Sequence, residues 1–86
     1  MTLRRAESTL WRRTLDGVVV LPVDHPTPLA LRGPAAGIWD LLAAPMTLPE
    51  LLDAISRAYG VDGATVADEV AEAVATLAEA GALCRT

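Results

Sequence analysis

One histidine, one cysteine and eleven carboxylates are the chain's material for chemistry, and their placement argues against catalysis. His25 stands in a proline-flanked turn, Val23-Asp24-His25-Pro26-Thr27, with no second group placed to orient it for general acid–base work. Cys84 lies near the C-terminus with no histidine close in sequence, and reads as a small apolar packer rather than a nucleophile. One histidine and one cysteine do not supply a four-ligand zinc site, and no glycine-rich phosphate loop is present. The expectation is a protein that is not an enzyme, holds no cofactor or metal, and works through a surface. Asp68, Glu69, Glu72 and Glu79 crowd one segment. They read first as a solvated face, and second as a face that would favour a partner carrying Lys or Arg.

The basic residues are seven arginines with no lysine, against a net charge of -4. Arg4, Arg5, Arg12 and Arg13 cluster at the N-terminal end, a set that meets solvent or an acidic partner more readily than phosphate. Nucleic-acid binders need clustered bases on the reading element, and the acidic segment near the C-terminus has none. A DNA-binding regulator therefore stands as the weaker alternative, beside a generic protein–protein adaptor. At 86 residues with 52% hydrophobic composition the chain fits one folded domain with a small core. A single cysteine closes no internal disulfide, and no apolar run is long enough for a signal peptide or a membrane span. A cytoplasmic protein without membrane contact is the default.

These side chains are positioned by two kinds of element. Residues 1–7 read as a flexible arm, and residues 8–86 as the folded domain. Within it, residues 8–32 read as three short strands. Ser8 to Thr14 contains strand formers, Asp16-Gly17 is hairpin-turn chemistry, Val18 to Leu21 is a β-branched run, and Pro28-Leu29-Ala30-Leu31 is a short third strand. Leu29 and Leu31 share one face by period two, and Ala30 faces the other way. Residues 33–81 read as three helices. Gly33-Pro34 opens the first, with Ala35, Ile38, Leu41 and Leu42 as its stripe and Trp39 at the border. Thr47 and Glu50 form a capping box at the second, with Met46 and Leu51 as its staple and Gly60 as its stop. The third runs from about Asp62 to Ala80. Val66, Val70, Ala73, Val74 and Leu77 face its core, and Ala67, Ala71, Val74 and Ala78 form a flank of small residues suited to a groove. Trp39 reads as core; Trp11, on a strand beside two arginines, suits core and interface equally.

The order of these segments resembles the PqqD-like family, also called RiPP recognition elements. The resemblance rests on Leu31-Arg32-Gly33-Pro34-Ala35-Ala36-Gly37-Ile38-Trp39-Asp40-Leu41-Leu42, then Thr47-Leu48-Pro49-Glu50-Leu51, then Leu77-Ala78-Glu79-Ala80-Gly81-Ala82-Leu83. It spans about residues 10–83. It implies an α+β, winged-helix-like fold with a three-stranded antiparallel sheet followed by three helices. It also implies that the chain binds the leader segment of a ribosomally made precursor peptide and presents the core segment to a separate modifying enzyme or leader peptidase. Two positions depart from the family habit: Arg32, where Asn is frequent, and Glu69, where Asp is frequent.

In such proteins the leader adds as an antiparallel strand to the third strand and packs on the third helix. Physically, ordering a peptide costs roughly 1–2 kcal/mol per residue, while each backbone hydrogen bond returns about 0.5–1.5. Side-chain anchors must then decide affinity, at roughly 1.5–3 kcal/mol for each buried Leu-sized group. The expected peptide site is Leu29, Ala30, Leu31 and Arg32 on the strand side, with Ala67, Ala71, Val74 and Ala78 on the helix side. Ala71→Trp is expected to fill it. Pro28, lacking an N–H, limits the free edge at its start.

Overall fold

A computed structural model describes all of residues 1–86. The elements in chain order are β1 (Thr2–Arg5), β2 (Leu10–Arg13), β3 (Gly17–Leu21), β4 (Leu29–Arg32), α1 (Pro34–Leu41), β5 (Met46–Thr47), α2 (Leu48–Tyr59), α3 (Gly63–Glu79) and β6 (Leu83–Arg85). The expected α+β order, three antiparallel strands and then three helices, is present as β2-β3-β4 followed by α1, α2 and α3. A second antiparallel sheet, β5-β1-β6, is present in addition.

That second sheet corrects the expected flexible arm. Residues 2–5 form its central strand, with Leu3 paired to Met46 on one side and Arg85 on the other. Leu3 is completely buried. One apolar side chain in an otherwise polar segment gives too weak a periodic signal to be read as a strand, yet its burial ties the N-terminus to the core. Cys84 is likewise corrected: on β6, opposite Arg4, it is exposed rather than packed.

The β2–β3 hairpin also differs in its turn. The Thr14 N–H donates to the Gly17 carbonyl at 2.9 Å, so the loop is Leu15-Asp16 and Gly17 opens β3. No residue of that loop has positive φ, and Gly17 has none either. A side chain on Gly17 would instead overlap the backbone oxygen of Leu31 on β4. Close approach of two strands, not turn geometry, is what requires glycine here.

The helices follow their local signals. Pro34 occupies the first turn of α1. At α2, Thr47 Oγ1 accepts from the Glu50 N–H at 3.3 Å and Glu50 Oε1 accepts from the Thr47 N–H at 2.9 Å, completing the capping box. Gly60 ends α2 in the left-handed conformation, φ 64° and ψ 34°. Asp62 caps α3 by accepting from the Ala64 N–H at 3.1 Å. The core lies between the sheets and the helices. Val18, Val20 and Leu31 enter it from β3 and β4, Ile38, Trp39 and Leu42 from α1 and its end, Leu51 and Ile55 from α2, and Val70, Val74 and Leu77 from α3. Trp39, expected in the core from the border of its helical stripe, is fully buried.

Candidate functional site

Strand β4 pairs only with β3, so its far side is a sheet edge. Alternation along the hairpin identifies which groups it offers. The Thr14–Gly17 bond turns the backbone groups of Gly17, Val19 and Leu21 toward β2, and those of Val18 and Val20 toward β4. Val18 and Val20 stand opposite Leu31 and Leu29. Leu29 and Leu31 are therefore engaged by β3, and the N–H and C=O groups of Ala30 and Arg32 face the vacant edge. Pro28 adds a carbonyl there and no donor.

Beside this edge lies a cleft of about 360 Å³, lined by Leu29, Ala30, Leu31 and Ala35 on one side and by Glu69, Glu72, Ala73, Thr76 and Leu77 of α3 on the other. Its floor is apolar: Leu31 and Leu77 are buried, and Leu29, Ala35 and Ala73 are half-buried. Glu69, Glu72 and Thr76 are exposed at its mouth. No arginine lines it.

The structure thus gathers the expected strand residues Leu29, Ala30 and Leu31 at the cleft, while the Arg32 side chain, exposed on the same outward face as Ala30, does not line it. The expected helix residues lie elsewhere. Val74 is buried in the core, and Ala67, Ala71 and Ala78 lie on the opposite flank of the buried Val70–Val74–Leu77 stripe. The α3 face that meets β4 is Glu69, Ala73 and Thr76, with Glu72 and Leu77 beside them. These spacings of four and three residues carry the signal of one helix face. Because alanines surround the helix, composition does not distinguish which flank meets the strand.

A second cluster sits between β1, β2 and α1. The Arg5 guanidinium lies 4.8 Å from the Trp11 ring centre and 4.7 Å from that of Trp39. Its Nε and Nη2 donate to the Trp39 carbonyl at 2.9 and 2.6 Å. Trp11 and Trp39 meet edge to face at 6.1 Å. Burial lowers the Arg5 pKa, against a raising effect of Asp40. Arg13 makes a two-pronged ion pair with Asp40 at 2.6 and 3.2 Å, which raises the Arg13 pKa. Of the N-terminal cluster, Arg5 is thus held half-buried within the fold and Arg13 is paired at its surface. His25 Nδ1 lies 2.6 Å from the Thr27 carbonyl in its own turn, and no three His, Cys or carboxylate side chains converge as metal ligands would. No helix is long and apolar enough to cross a membrane.

The family model for coenzyme PQQ synthesis protein D (PqqD) matches residues 17–83, from the start of β3 to the first residue of β6. No curated protein and no solved structure matches the chain. With that match running through the strand edge, the cleft and all three helices, the chain belongs to the PqqD family of precursor-peptide-binding accessory proteins.

Proposed function

We propose that this chain binds the leader segment of a ribosomally made precursor peptide as an added antiparallel strand on β4, and presents the core segment to a separate modifying enzyme or leader peptidase. The observation that carries this reading is the juxtaposition of the vacant Ala30/Arg32 backbone with an apolar cleft on α3. Strand addition uses both at once: backbone bonds set register, and alternate side chains fill pockets. In an antiparallel guest strand, the residues opposite Leu29 and Leu31 point into the cleft and those opposite Ala30 and Arg32 point away. The exposed acids of α3 give a DNA-reading role no support, because phosphate would be repelled there.

The test uses candidate leader peptides titrated against the full chain. Ala30→Pro removes an N–H that faces the vacant edge and disturbs no bond within the protein, a placement that edge strands tolerate. Binding by calorimetry should be lost while the unfolding midpoint stays near that of the parent. Leu31→Pro removes a bond to β3 and should unfold the sheet. Thr76→Trp should obstruct the cleft, and Ala71→Trp, on the other flank, should leave affinity unchanged. Full binding by a folded Ala30→Pro variant would rule the proposal out.

A further inference from the structure

Four acids stand exposed on α3, but only Glu69 and Glu72 line the cleft; Asp68 and Glu79 do not. Neither Glu69 nor Glu72 has an ion-pair partner, since the pairs of the protein are Arg13–Asp40 and Arg57–Asp53. They are three residues apart on one helix, a spacing at which like charges repel. The seven arginines all lie elsewhere than in the cleft. The two carboxylates therefore form an uncompensated negative mouth above a floor of Leu29, Leu31, Ala35, Ala73 and Leu77.

From this we infer the chemistry of the guest strand: aliphatic or aromatic residues at two positions separated by one, with Lys or Arg at a neighbouring position on the same face. The inference rests on the proposed strand addition to β4 and adds the specificity of that site. Its spacing follows from the register. The residues opposite Leu31 and Leu29 are two apart in the guest and enter the floor, while the residue between them points outward and is unconstrained. The next inward residue passes the mouth, where a long basic side chain lays its stem on apolar surface and its charge toward Glu69 and Glu72. An acidic residue there faces two like charges near a low-dielectric wall, so rejection is as much a part of the selectivity as attraction.

The experiment is a random-peptide display selection on the full chain, repeated on a Glu69→Lys/Glu72→Lys variant. Both positions are exposed and unpaired, so the variant keeps the fold. Amide shifts in NMR locate the selected peptides. Peptides enriched on the parent should carry the apolar pair at alternate positions with Lys or Arg on the same face, and should shift the Ala30 and Arg32 amides. Changing that base to Glu should weaken binding about tenfold at low salt, with the difference shrinking as salt rises. The variant should enrich Asp and Glu instead. Peptides that shift the β4 amides without basic preference would overturn the inference and leave strand addition standing. Enriched peptides that shift other amides, or none enriched, would overturn strand addition and the inference with it. Shifts at β4 that grow with protein concentration alone would assign the edge to a second copy of the chain, with the same consequence.

Discussion

Gly17 and Gly37 look alike in the sequence and differ in what an added methyl group would meet. At Gly17 it would overlap the Leu31 oxygen, a backbone atom held in the β3–β4 ladder. At Gly37 it would meet the hydroxyl end of Tyr59, an exposed side chain whose bond to the Gly33 carbonyl is long, 3.4 Å. Backbone in a ladder does not yield; an exposed ring does. Gly17→Ala should therefore destabilise the protein by about 1–3 kcal/mol. Gly37→Ala, inside α1, should be neutral or stabilise by up to about 1 kcal/mol, the helix advantage of alanine. Urea unfolding midpoints of the two variants check both signs. At the same scale one arginine, Arg5, departs from the expected exposed cluster. Arg5 belongs to a set that reads as a surface charge cluster, but whether an arginine turns inward depends on a distant acceptor, here the Trp39 carbonyl more than thirty residues away; Arg13 stays exposed and pairs with Asp40 at the surface. Local sequence carries no sign of that.

Elements were legible where their signals are local. The Thr47–Glu50 box lies within one turn, and both of its bonds are present. It also makes stability depend on acid. The hydrogen bond from the Thr47 backbone N–H, and then that of its side chain, lower the Glu50 pKa below the ordinary glutamate range. A depressed folded pKa contributes stability that is complete above the unfolded value and is lost as pH falls through the folded one. Glu50→Gln keeps a neutral acceptor at this position. The parent should be the more stable of the two at neutral pH, and the gap should close on acidification below the ordinary glutamate range. Urea midpoints followed through that range test it, and a gap independent of pH would show that charge is not what the cap uses. Thr47→Ala should cost about 1 kcal/mol at neutral pH, and less once Glu50 is protonated, because the Thr47 side chain favours the ionised carboxylate. Elements that depend on distant partners were not legible. Strands β1, β5 and β6 have two to four residues each and join the two ends of the chain to the α1–α2 connection. No turn chemistry announces such pairing. For α3 the helix and its buried stripe were readable from Val70, Val74 and Leu77. Its partner flank was not, because small residues lie on both sides of that stripe.

At the scale of the whole molecule, the two sheets divide the work. Sheet β2-β3-β4 carries the vacant β4 edge proposed for the peptide, and sheet β5-β1-β6 fastens the N-terminus, the start of α2 and the end of α3 around the core. The family match begins at residue 17, so β1 lies outside it. Yet Leu3 on β1 is fully buried in the same core cluster as Leu77 and Leu83. A domain of this length has a total stability of roughly 4–13 kcal/mol, and truncating a buried leucine to alanine removes about 2–5 of it. Leu3→Ala should thus lower the urea midpoint sharply, with an unchanged slope if the domain still unfolds as one unit. Removing residues 1–6 should go further, exposing Leu83 and leaving β5 and β6 unpaired, with loss of the cooperative transition. The cleft is built from β4, α1 and α3, none of which touches β1 by strand pairing. Peptide affinity of folded Leu3→Ala, measured well below its midpoint, should accordingly match the parent's. An affinity loss at full folding would mean that the two sheets are mechanically coupled through α3, and that β1 belongs to the binding machinery as well as to the core.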